Sequence, residues 1–66
     1  MQININGTAK DLPAAVTLAQ LVAQCCKQPK HVITEVNGAI VPAGDWDKTS
    51  VKEGDAIELV SFVGGG

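Results

Sequence analysis

The stretch SFVGGG, Ser61 to Gly66, places three glycines after two large apolar residues. Glycine usually serves a turn with positive φ or lets a backbone approach something closely. Read as a C-terminus, this segment has no turn to make, which leaves close approach. A tail without Cβ atoms is thin enough to enter a partner's channel. The carboxylate of Gly66 is then the candidate reactive group, and Gly64 and Gly65 are the segment that delivers it. The bland alternative is an unused linker or a frayed end, since disorder concentrates at chain termini.

Few other residues offer chemistry. Cys25 and Cys26 are neighbours, and adjacent side chains on a helix diverge by about 100°, a poor geometry for bonding to each other. A redox or persulfide role would need an exposed thiol of lowered pKa, which no surrounding residue clearly supplies, so the pair reads as packing. His31 has no second histidine or cysteine at ligand spacing and reads as a surface histidine at the start of a strand. No nucleophile–base pair, metal set or phosphate loop is present, which argues against a free-standing enzyme.

The elements that must position the tail fit one small domain. A chain of 66 residues buries only about 60% of the surface that its unfolded form exposes, too little to enclose a deep pocket of its own. The formal charge is -2, with scattered lysines and no arginine. That gives no basic stripe for nucleic acid and no polybasic membrane anchor. The apolar stretches are too short to span a bilayer, and MQINING lacks the pattern of a signal peptide, so a cytoplasmic protein is expected.

MQINING alternates Ile3 and Ile5 with polar residues, the period of a half-buried strand, and Asn6-Gly7 is a two-residue hairpin signal. A second strand is expected over Thr8–Leu12, closed by Pro13. The period then changes. Leu18, Leu21, Val22 and Cys25 recur at helical spacing, with Thr17 and Gln20 forming a capping box and Val16 and Leu21 a hydrophobic staple. This pattern predicts a helix ending within a residue or two of Pro29, with Cys25 facing the core and Cys26 nearer the edge. HVITEVNG predicts a third strand with Val32, Thr34 and Val36 on one face and Ile33 and Glu35 on the other, closing at Asn37-Gly38. AIV is a short fourth strand. AGDWDKTS reads as a loop or a single helical turn in which Trp46 plugs the edge of the core. After a turn at Glu53-Gly54-Asp55, the last strand is expected from Ala56 to about Val63. One helix must bury its stripe against a sheet, so the fold class is α+β, a mixed four- to five-stranded sheet packed on one helix.

The last strand has two faces, and only one can meet that helix. Glu58 marks its own face as the solvent side, because a lone carboxylate is rarely buried, and so Ile57 and Leu59 go to the core. Val60 and Phe62 are left exposed beside the tail, and Ile33 joins them if the third strand is a neighbour. Ordering three tail residues costs about 3–6 kcal/mol. Burying Val60 and Phe62 against a partner returns about 1.5–3 kcal/mol apiece, which is comparable. The patch would supply affinity and the tail the reacting atom.

VNGAIVPAGDW, EGDAIELVSFVGGG and the opening strand with its Asn-Gly turn together resemble the ThiS family, the sulfur carriers of thiamine biosynthesis, over nearly the whole chain. The resemblance implies a ubiquitin-like β-grasp fold, with residues 1–63 as the domain and 64–66 as a flexible glycine tail. It implies that an E1-like adenylating enzyme of the ThiF type uses ATP and magnesium to convert the Gly66 carboxylate to an acyl-adenylate. A persulfide from a cysteine desulfurase or another donor then yields a thiocarboxylate. The sulfur passes to thiazole synthase of the ThiG type. Gly65 and Gly66 would enter the partners' active sites with Gly64 as hinge, and the chain itself would bind no cofactor. The vicinal cysteines depart from the family pattern. Two rivals share the same tail: a sulfur carrier for molybdopterin or another metabolite, although the related small subunit of molybdopterin synthase is typically longer and lacks the VNGxIVP-to-Trp pattern, and a ubiquitin-like modifier joined to lysines through Gly66.

Overall fold

In a computed structural model, which describes residues 1–26 and 31–61, both Asn-Gly pairs adopt left-handed backbone. Asn6 and Gly7 have φ of 51° and 82°, and Asn37 and Gly38 of 52° and 87°. Positive φ at both central positions gives the type I′ turn, whose twist matches that of the strands it joins. The first turn folds β1 (Gln2–Ile5) onto β2 (Thr8–Asp11), and the second folds β3 (Val32–Val36) onto β4 (Ala39–Val41). Leu12 falls just outside β2. It is buried, and its amide donates to the Met1 carbonyl at 2.7 Å.

Between the hairpins runs α1 (Leu18–Cys25), with Thr17 as its N-cap. The capping box is formed: the Gln20 amide donates to Thr17 Oγ1 at 3.2 Å, and the Thr17 amide donates to Gln20 Oε1 at 2.9 Å. Leu18, Leu21 and Val22 are fully buried. The C-terminal end differs from expectation, because the helix stops at Cys25 and Cys26 is already extended, with φ -130° and ψ 133°. Cys25 is therefore the exposed thiol, while Cys26 is half-buried and packs against the core. Helical periodicity gives the direction of a side chain but not how far along the axis the core reaches. Here the buried stripe ends at Val22, and the extended Cys26 closes it. Pro29 lies outside the described residues.

The strands form one five-stranded sheet in the order β2-β1-β5-β3-β4, with β5 (Ala56–Ser61) in the centre, parallel to β1 and antiparallel to β3. One face packs on α1 around Ile3, Val32 and Ile57. The segment AGDWDK is a 3₁₀ helix, Ala43–Lys48, which sets Trp46 into the core as the sequence suggested. Its indole N–H donates to both Thr34 Oγ1 (2.9 Å) and the Val41 carbonyl (3.0 Å). No helix among the described residues is long and apolar enough to cross a membrane.

Candidate functional site

The strand that leads to the tail is the central one, and its register decides what it presents. Ile57 is buried and Leu59 packs against the core, while Glu58 and Val60 point the other way into solvent. The two faces of the strand are therefore divided as the position of Glu58 required. On β3, Ile33 lies directly opposite Val60 and Glu35 directly opposite Glu58. Ile33 is 44% exposed and Val60 51%, so the expected apolar pair exists and is a cross-strand pair. Phe62, Gly64, Gly65 and Gly66, the remaining candidate residues, lie outside the described residues.

One member of the surface was not anticipated. Ile40, opposite Glu35 on β4, is 67% exposed and extends the apolar surface across a third strand. The signal was present in AIV, because an Asn-Gly turn fixes the register and hence the outward position of its middle residue.

The two turn asparagines also do more than turn. From one side of β5, Asn6 Oδ1 accepts from the Leu59 amide at 2.8 Å, while its Nδ2 donates to the Leu59 carbonyl at 3.2 Å. From the other side, Asn37 Oδ1 accepts from the Ala56 amide at 2.9 Å, and its Nδ2 donates to Asp55 Oδ1 at 3.1 Å. The second Asp55 oxygen accepts from the Lys52 amide at 2.8 Å. The paired register of β1 and β5 ends at Ile5 and Ile57, so Asn6 carries the pairing two residues further, to the residue before Val60. These contacts fix the strand immediately ahead of the candidate tail.

The cysteines sit elsewhere, at the end of α1. Burial first, and then the neighbouring Cys25, push the Cys26 thiol up from its ordinary value. A thiolate nucleophile needs the opposite shift, so the environment of Cys26 does not favour a relay role. His31, read from sequence as a surface residue, is half-buried just before β3. Among the described residues no three His, Cys, Asp or Glu side chains cluster as a metal site.

A mixed sheet gripping one main helix, with its last strand at the centre, defines a small β-grasp domain. The comparisons narrow this. The ThiS family model matches residues 3–66. The chain is 32% identical over its whole length to the sulfur carrier protein ThiS of Escherichia coli, all of which it covers. It is 33% identical to a thiazole synthase of Paramagnetospirillum magneticum and 36% identical to one of Magnetococcus marinus. It spans 20% of the length of each of these two proteins. The crystal structure of the thiamine biosynthesis protein ThiS from Geobacter metallireducens superposes with a TM-score of 0.86 at 32% identity, with both chains fully covered. The chain belongs to the ThiS family.

Proposed function

We propose that the chain is a sulfur carrier of thiamine biosynthesis whose cargo is held at the carboxyl group of Gly66. The observation that carries this reading is the family match running to residue 66, through the glycines themselves. A carboxylate is a poor electrophile, so the chemistry must begin by activating it. A Gly66 carboxylate oxygen attacks the α-phosphorus of ATP on an E1-like adenylating enzyme of the ThiF type, with magnesium bound there, and pyrophosphate leaves. The terminal sulfur of a persulfide, supplied by a cysteine desulfurase or another donor, attacks the acyl carbon and displaces AMP. A thiolate then takes the outer sulfur of the resulting acyl disulfide into a new disulfide, releasing the thiocarboxylate.

The role left to this chain is presentation. The patch of Ile33 and Val60, continued by Phe62, docks on the enzyme while Gly64 and Gly65 pass through its channel. Similarity to a segment of two thiazole synthases supports thiazole synthase of the ThiG type as the acceptor. In this reading the chain is a co-substrate rather than an enzyme, and ATP and magnesium belong to its partner.

Intact-mass spectrometry after incubation with the adenylating enzyme, ATP and a cysteine-fed desulfurase tests the proposal. The expected result is a gain equal to exchanging one oxygen for sulfur, absent when Gly66 is deleted. Conjugates to lysine without that gain would replace the carrier with a protein modifier.

A further inference from the structure

One face of the sheet is closed by α1, and the other is open. The open face carries Ile33, Ile40 and Val60, all exposed, and the strand registers determine which charges accompany them. Asp11 pairs with Gln2, and Glu35 lies between Ile40 on one side and Glu58 on the other. All three carboxylates alternate onto the open side. No lysine of the strands joins them. Lys10 pairs with the core residue Ile3 and so takes the opposite side. Lys48 is in the 3₁₀ helix and Lys52 in the loop before β5, while Lys27 and Lys30 lie outside the described residues. The strands thus segregate charge, with Glu35 and Glu58 beside the apolar patch, Asp11 on the same side at the far end of the sheet, and their one cation behind it.

The Glu35–Glu58 pair beside the patch is unfavourable for the isolated fold. Directly opposed side chains on antiparallel strands hold their Cβ atoms about 4.5–5.5 Å apart, and like charges there destabilise the sheet. Neither Glu35 nor Glu58 has an ion-pair partner among the described residues. An exposed apolar surface rimmed by polar groups marks a docking site, and its charge selects the occupant, because complementary potentials steer encounter and reject wrong partners. We propose that this face docks a protein surface with an apolar centre and a basic rim, one arginine or lysine of which seats between Glu35 and Glu58. That cation relieves the repulsion only in the complex, which makes the glutamate pair a specificity element rather than a stabilising one. The inference rests on the carrier reading, and the partner it concerns is the adenylating enzyme.

The test is titration of the full chain against that enzyme at low and high salt, for the wild type, for E35Q/E58Q and for I33A/V60A. E35Q/E58Q keeps the side-chain shapes and removes the repulsion, so its melting temperature should equal or exceed that of the wild type. Its affinity should fall by about tenfold or more at low salt, with a flattened salt dependence. I33A/V60A should lose affinity while keeping the wild-type salt slope. E35Q/E58Q binding as tightly as the wild type, with the same salt slope, would overturn this inference and leave the carrier reading intact. No binding by the wild type at any salt would overturn both.

Discussion

On the side of the sheet covered by α1, Ile3, Leu21 and Ile57 are almost inaccessible. The polar Thr34 is buried there only with its hydroxyl donating to Val41 and accepting from Trp46. On the open side, Ile33, Ile40 and Val60 stay in water beside two opposed glutamates. The same strands build both sides, since successive residues of β3 and β5 alternate between them. The covered side follows the rules for a stable interior, in which apolar groups are packed and buried polar groups are bonded. The open side breaks the corresponding rules for a stable surface. Residues that do nothing for the isolated domain are the ones to examine for binding.

Core truncation should separate the two sides most sharply. Leu21→Ala should cost about 2–5 kcal/mol in denaturant unfolding, while the molecules that remain folded keep their affinity for the proposed adenylating partner. Trp46→Phe removes the indole donor shared by Thr34 and Val41 and should cost about 1–3 kcal/mol by the same measurement. A smaller and more local effect is expected where the two sides meet along β5. Asn6→Gly and Asn37→Gly both tolerate positive φ, and each should cost about 1–2 kcal/mol through lost hydrogen bonds. Only Asn6→Gly, however, should accelerate amide hydrogen exchange at Leu59, and equal exchange in the two variants would remove the distinction between the clamps. Ile33→Ala should change stability by no more than about 0.5 kcal/mol while weakening association; marked unfolding would mean the surface belongs to the core.

The smallest effect concerns the thiols. Alkylation followed by mass spectrometry should modify Cys25 before Cys26, with the gap narrowing as pH rises. Because the folded state raises the Cys26 pKa, it holds that proton more tightly than the unfolded chain. The associated stability is therefore full below the ordinary thiol value of 9.0 and is lost as pH rises through the raised one.

Most of the fold was legible because its signals were local. Two Asn-Gly pairs announced their turns, Thr17 and Gln20 the start of the helix, and Glu58 the orientation of the last strand. What stayed hidden depended on long-range geometry. The helix ended earlier than Pro29 suggested and exchanged the environments of Cys25 and Cys26, because only the sheet determines how far the core extends along α1. The grip of Asn6 on Leu59 joins residues 53 apart in sequence, and no turn propensity contains it. The opposition of Glu35 and Glu58 depends likewise on which strands are neighbours. The exposed apolar pair was legible in part: alternation placed Val60 outward, but only the sheet order put Ile33 across from it.

Among the described residues, β5 is the last strand in sequence and the central one of the sheet. The hairpin β1–β2 and the hairpin β3–β4 share no ladder with each other, and each is paired to the other's sheet half only through β5. A nascent chain that has emerged only as far as Asp55 therefore holds two hairpins and a helix with nothing to join them into one sheet. Assembly waits for the segment that leads directly into the glycines. A copy cut short before β5 lacks the strand that joins the two hairpins, and so has no finished sheet.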